Sequence, residues 1–282
     1  MVRDGAKEGF PPGVNVHRSG PLGPSLSMIT YCMGRRAQAE VMVPSTLALL
    51  SPGDEVVLVD YGDPDNVGGW AVGLGARQLT VVKVSGVRWF HMDHARNVGA
   101  RAAVCDVLVF ADVDFVLTAA VVAELRTIGE REFLGQSDRT HSLGFVACWR
   151  EHCVAVQGHE EAVCGYGMDD IAFRNTLSAC GLGRRIMAAM VEKVTVGTHC
   201  RNLQSGNIGL NASVNARVLR ALRSLDARRN NVGRNWGWGG EIVKRSEANR
   251  EETEIDNDAA LWAANSGPSS VRADVADLLQ GG

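Results

Sequence analysis

Between Leu26 and Asp114, short valine-rich apolar runs alternate with segments of helical spacing. That alternation restricts the chain to a mostly parallel sheet with helices on both faces. Leu26–Tyr31, Glu55–Val59, Leu79–Val84 and Val107–Ala111 read as strands, and Ala37–Leu50 and Ala95–Val104 as helices. The turns Ser51-Pro52-Gly53-Asp54 and Tyr61-Gly62-Asp63-Pro64-Asp65 separate them. In sheets of this kind ligands bind beyond the carboxyl ends of the strands, which is where Arg35, Asp60 and Asp112 fall.

The later half is less regular. Gly144–Ala155 reads as a strand, Asp169–Cys180 as a helix and Asn211–Leu225 as a basic amphipathic helix. Residues 1–24 are rich in proline and glycine and read as a flexible leader. A chain of 282 residues with 45% hydrophobic content can bury one large core. The expected organisation is one α/β domain over 25–245, in two halves at about 25–118 and about 119–245. An acidic tail follows over 246–282, with a helical patch at Ala259–Ala264.

The formal charge of -3 gives no whole-protein case for nucleic acid, but charge is unevenly spread. Gly181–Arg245 holds 12 Lys/Arg against 3 Asp/Glu, whereas Ser246–Gly282 holds 2 against 8. Arg184, Arg185, Arg217, Arg220, Arg223, Arg228, Arg229 and Arg234 therefore keep a nucleic-acid-binding module open. Equally, the basic stretch and the acidic tail could simply neutralise each other. The seven cysteines lack zinc-ligand spacing and read as reduced, buried thiols. No apolar run reaches the roughly 18–20 residues that span a bilayer, and the N-terminus is not shaped like a signal peptide. A soluble, cytoplasmic protein is expected.

The chemistry concentrates in two acidic clusters. Asp112-Val113-Asp114 follows the run Val107-Leu108-Val109-Phe110, which puts two carboxylates at a strand end. Hard oxygen donors so placed suit Mg²⁺ or Mn²⁺ together with phosphate oxygens, although a polar turn after a strand has the same spelling. Downstream, Gly165-Tyr166-Gly167-Met168-Asp169-Asp170 opens the helix beginning Ile171-Ala172-Phe173. Asp170 could accept a proton from a hydroxyl, and acidic residues at this position could also cap the helix. His199 lies after Val191–Val196 and is either a structural histidine or, with Asp114, a metal position.

Taken in order, Phe90, Asn97-Val98-Gly99, Phe110-Ala111-Asp112-Val113-Asp114-Phe115, Gly144-Phe145, Val156 with Gly158, and Gly165–Leu177 resemble the catalytic domain of the β-1,4-galactosyltransferases. These are inverting enzymes of the GT-A type, related to family 2-like glycosyltransferases. The resemblance spans roughly Met28–Asn202. It implies a Rossmann-like nucleotide-binding sheet flanked by helices, a nucleotide-sugar donor with UDP favoured, and Mn²⁺ or Mg²⁺ as cofactor.

Residue by residue, the resemblance makes Asp112 a donor or metal contact, Asp114 and His199 metal ligands, Asp170 the catalytic base and Asp169 its acceptor-holding neighbour. Thr30, Cys32, Arg35, Asp60, Phe90 and Asn97 fall at donor positions, and Tyr166 at the acceptor-stacking position. This chain departs from the pattern at Val196, where the family has a methionine ligand, at Met168, which replaces a glycine, and at Tyr166, which replaces a tryptophan. Asn235-Trp236-Gly237-Trp238-Gly239-Gly240-Glu241 is closer to the acceptor block in spelling but lacks the second acid. Trp236 and Trp238 therefore read as an acceptor wall or lid, or as a turn pinned by two buried tryptophans. The acceptor stays open among glycan, protein, lipid-linked and small-molecule hydroxyls and a modified DNA base.

Overall fold

A computed structural model describes residues 23–87, 90–138, 144–163, 167–194, 196, 212–223, 230–231, 236–237 and 239–247. The described elements, in chain order, begin with β1 (Leu26–Cys32), α1 (Arg36–Leu47), β2 (Glu55–Tyr61), α2 (Val67–Gly73), β3 (Leu79–Val84) and α3 (Met92–Ala102). There follow β4 (Val107–Phe110), β5 (Phe115–Val116), α4 (Ala119–Leu125), β6 (Glu132–Gly135), β7 (Val146–Trp149), α5 (Arg150–Ala155) and α6 (Asp169–Ala179). The last are β8 (Gly183–Ile186), β9 (Glu192–Lys193), α7 (Ala212–Arg223) and β10 (Gly240–Lys244).

Eight strands form one sheet in the order β10-β3-β2-β1-β4-β7-β6-β8. The four expected strands make its parallel centre: β1 pairs with β2 and β4, and β2 with β3. β7 and β10 run antiparallel to their neighbours. Every residue of β1 and β2 is buried, as central strands covered on both faces require. Alternation along the strands feeds two cores. Leu26, Met28, Val56 and Leu58 pack with α1, α2 and α4 on one face, while Ile29, Val57, Val59 and Phe110 pack with α3 and α6 on the other. α3 lies close to the sheet at Gly99, where an added Cβ would stand 2.4 Å from Ile29 Cγ2.

The amino ends of the strands are tied by a buried carboxylate. Glu55 accepts hydrogen bonds from Ser27 Oγ, Thr80 Oγ1, Ser246 Oγ and the Val104 amide at 2.8–2.9 Å. The link through Ser246 anchors the chain just after β10.

Two expectations change. Gly144–Ala155 is not one strand: β7 ends at Trp149 and α5 follows at once. Apolar residues in a short run do not distinguish strand from buried helix, and here the run serves both. The Trp/Gly stretch, expected as a lid or turn, leads into β10 at Gly240, so its end belongs to the sheet. No described helix is long and apolar enough to cross a membrane.

Candidate functional site

The sheet reverses its strand order between β1 and β4, and the carboxyl ends of β1, β2 and β4 open on one side. A crevice at such a reversal is where α/β sheets bind ligands. β2 delivers Asp60, which is buried and accepts hydrogen bonds from the amides of Asp63 at 2.8 Å and Gly68 at 3.2 Å. Burial raises the Asp60 carboxyl above its ordinary value while those two amides pull it down. Cys32, at the end of β1, places its Sγ 3.3 Å from Asp63 Oδ2, and burial pushes its thiol far up. Phe90 is half-buried and packs against Tyr31 and Tyr61, with ring centroids at 6.1 and 5.5 Å.

β4 delivers the first acidic cluster. Asp112 is about a quarter exposed, accepts a hydrogen bond from the Tyr31 hydroxyl, and lies 3.6 Å from Arg96 Nη2. Its carboxyl is raised by the protein packed around it, against the opposing pull of Arg96 and Tyr31. Asp114 is buried between two cations, Arg35 Nη1 at 3.7 Å and Lys193 Nζ at 3.6 Å. Lys193 arrives on β9, which pairs with β5 directly after Asp114.

The second cluster is brought to the first by an unusual piece of backbone. Gly167 has φ +93° and Met168 φ +75°. Left-handed backbone suits glycine and strains a methionine, so this turn is imposed by its surroundings. Met168 retains that conformation although it is not a glycine, and α6 starts directly after it, with Asp169 and Asp170 in its first turn.

Arg96, on α3, joins the clusters. Its side chain is fully enclosed, with Nη1 at 2.9 Å from Asp169 and 3.2 Å from Asp93, Nη2 at 2.8 Å from Asp170, and Nε donating to the Tyr31 hydroxyl at 2.9 Å. Burial opposes the guanidinium charge, and Tyr31 and the surrounding carboxylates more than restore it. Burial lifts Asp170, Arg96 pulls it down, and Asp169 and Asp112 lift it again, to about 7. A carboxylate poised there can take a proton at neutral pH. Next to this centre, burial raises the Asp93 carboxyl and lowers the His159 imidazole, whose ring stacks on Phe173 at 3.8 Å.

Sequence reading passed over Arg96 while naming its neighbour Asn97. The one local signal is Asp93, three residues earlier and able to pair with it on a helix. Thr30 and Asn97 are both 0% exposed. Asn97 exchanges hydrogen bonds with the backbone of His159 and donates to Glu161 Oε1 at 2.7 Å. Glu161 also accepts from the Gly237 amide at 2.6 Å, and Arg101 donates to the Trp236 carbonyl at 3.0 Å. Trp236 is thereby held in the core against α3 and Gly158, at 8% exposure, not displayed as a wall of the crevice. Tyr166, Trp238 and His199 lie outside the described residues. Of the basic stretch, Arg184 is spent on Asp138 and Arg185 on Glu124 and Glu132, while Arg217 and Arg220 stand exposed on α7.

Among the described residues no three His, Cys, Asp or Glu side chains gather to hold a metal. Asp112 and Asp114 nevertheless supply two hard oxygen donors at one strand end, the protein share that a cation also bound by substrate phosphates requires. The residues present fit a divalent cation in that sense.

No family model matches the sequence, and no curated protein does. Solved structures do. A mannosyltransferase from Pyrobaculum calidifontis, in complex with GDP-Man and Mn²⁺, superposes with a TM-score of 0.53 at 18% identity, covering 76% of this chain and 65% of its own. TarS from S. aureus, residues 1–349, superposes with a TM-score of 0.50 at 12% identity, covering 71% and 64%. The catalytic domain of Drosophila β1,4-galactosyltransferase 7, in complex with xylobiose, gives a TM-score of 0.43 at 14% identity, covering 63% and 77%. This chain thus spans slightly under two thirds of the mannosyltransferase and of the TarS fragment. It has the GT-A fold of the mannosyltransferase and of TarS, as its sequence led us to expect.

Proposed function

We propose that this protein is a metal-dependent glycosyltransferase that moves a sugar from a nucleotide-sugar donor to a hydroxyl acceptor by a single displacement with inversion. The observation that carries the reading is the meeting of two acidic clusters, one from the end of β4 and one from the start of α6, at the carboxyl edge of a GT-A sheet.

In this reading Asp60, Cys32 and Phe90 line the nucleotide end, and Asp112 and Asp114 serve the diphosphate end with Arg35 and Lys193. A divalent cation held by Asp112 and Asp114, with His199 as a further ligand, would neutralise charge on the departing diphosphate. Asp170 takes the proton of the acceptor hydroxyl as that oxygen bonds to the anomeric carbon. The bond from that carbon to the diphosphate oxygen breaks, and its electron pair leaves with the nucleotide. In the same reading Asp169 holds a second acceptor group and Tyr166 stacks on the acceptor. UDP is favoured by the family resemblance, and the acceptor class stays open.

The test is a thermal-shift screen of UDP, GDP, CMP and dTDP, with and without Mn²⁺, on the wild type and on Asp114→Ala. Stabilisation by one nucleotide that needs both Mn²⁺ and Asp114 is expected, because a ligand that binds only the folded state raises its stability. If no nucleotide shifts the wild type under either condition, the reading fails. Asp170→Asn should then abolish transfer and spare the nucleotide shift; retained turnover would remove Asp170 as the base.

A further inference from the structure

We propose that Arg96 is the positioning residue of this site: it holds Asp170 by one oxygen, with Asp169 alongside, so that the other Asp170 oxygen is left for the acceptor hydroxyl. The inference rests on the glycosyl-transfer reading above and gives a role to a residue which that reading leaves unassigned.

The argument is geometric. Arg96 belongs to the middle of α3 and is 0% exposed, so it touches no substrate and acts only through its neighbours. A guanidinium is a rigid planar fork, and groups bound to its different nitrogens are fixed relative to one another. Here Nη1 donates to Asp169 Oδ2 at 2.9 Å and Nε donates to the Tyr31 hydroxyl, which itself donates to Asp112, while Nη2 makes charge contacts without hydrogen-bond alignment, 2.8 Å from Asp170 Oδ1 and 3.6 Å from Asp112 Oδ1. One rigid group thus sets the spacing between the donor-side carboxylate and the acid pair.

The backbone closes the far side. A Cβ on Gly144 would stand 2.9 Å from Asp112 Oδ2 and 3.1 Å from Arg96 Nη2, so any other side chain there would displace the Asp112 carboxylate or the Arg96 guanidinium. A lysine at position 96 would carry the charge without the fork, and could not grip Asp170 and Asp169 through separate nitrogens.

The experiment compares the full-length wild type with Arg96→Lys, Arg96→Gln, Asp170→Asn and the double variant Arg96→Gln/Asp170→Asn. Transfer kinetics use the nucleotide-sugar whose nucleotide stabilises the wild type. Arg96→Lys is expected to keep its donor KM within about threefold and to lose kcat by about 100-fold, the scale of a small misplacement of a reacting group. Arg96→Lys with kcat within threefold of wild type, or with kcat and donor KM falling away together, would overturn the assignment.

Thermal unfolding supplies a readout that needs no activity. Arg96→Gln leaves buried carboxylates without their cation and is expected to lower Tm; adding Asp170→Asn should recover part of that loss. No recovery overturns the link between Arg96 and Asp170 whether or not the enzyme turns over. A wild type that transfers no sugar while the thermal cycle shows coupling would instead refute the glycosyltransferase reading alone.

Discussion

The Asn97 side-chain amide donates to the Glu161 carboxylate at 2.7 Å inside the protein, and the same amide group exchanges two further hydrogen bonds with the His159 backbone. Asn97 therefore clamps the loop between α5 and α6 onto α3. Asn97→Ala leaves the His159 amide without its partner, at about 1–3 kcal/mol, and takes one of two hydrogen bonds each from Glu161 Oε1 and the His159 carbonyl. A loss of about 3 kcal/mol is expected, read as a lower urea midpoint with an unchanged slope. A midpoint equal to wild type would mean that the loop is held elsewhere.

The pH dependence of turnover follows from Asp170. Its unprotonated form is the base, so kcat/KM should rise with pH through about 7 and level off above it. Asp169 raises the Asp170 value, so Asp169→Asn is expected to move the rising limb to lower pH. A limb that stays in place would assign it to another group.

The same group has a signature in stability. The folded value of Asp170, about 7, lies above the ordinary 3.8, so its contribution is fully present below about 3.8 and is lost as pH rises through 7. Asp170→Asn removes that loss, and its Tm relative to wild type should climb between pH 5 and pH 8. A constant difference across that range would contradict the raised value.

How much of this could be read beforehand depends on how local each cause is. The strands β1 to β4 were legible because valine-rich runs and the turns between them are written in consecutive residues. Asp112, Asp114, Asp169 and Asp170 were legible as short clusters at element ends. Arg96 was not, because the carboxylates that make its burial tolerable come from β4 and α6, far along the chain. Without them, Arg96 reads as one more charge on a helix surface. The role of Asn230 and Asn231 was hidden for the same reason: they bond to Gly158, Gln157 and His159 across the fold.

Gly158 offers a packing test. Its φ is +68°, and a Cβ would meet Asn97 Oδ1 at 2.3 Å and Trp236 at 2.6 Å. The backbone strain costs about 1 kcal/mol and the overpacking about 1–3 more. Gly158→Ala should thus lose about 2–4 kcal/mol. Gly73, in α2, has nothing within 4 Å of its Cβ position, so Gly73→Ala should be neutral or gain up to about 1 kcal/mol from helix propensity. Chemical unfolding of the two variants side by side decides the point, and equal midpoints would refute it.

Asp114 separates binding from folding. Its two cationic neighbours lie 3.6–3.7 Å away, at the long end for an ion pair, and Lys193 is about half exposed, so the Lys193 pair should contribute less than about 1 kcal/mol. Asp114→Asn is expected to unfold within a few degrees of wild type and yet to lose the Mn²⁺-dependent shift by nucleotide. A large fall in Tm without ligand would recast Asp114 as a structural residue.

The antiparallel strand β10 bears on whether this molecule can pair with its copies. Without it the sheet would end at β3, a six-residue, almost wholly buried parallel strand with its hydrogen-bonding edge bare. Such an edge is a template for pairing with another chain. β10 covers it and, among the described residues, becomes the new edge, but a poor template: five residues long, irregular in register between Ile242 and Lys244, and carrying the charges of Glu241 and Lys244. Gly240–Lys244 thus acts as a guard against self-association. A chain shortened before Gly240 should lose solubility through sheet-to-sheet pairing, even with every carboxylate of the crevice in place.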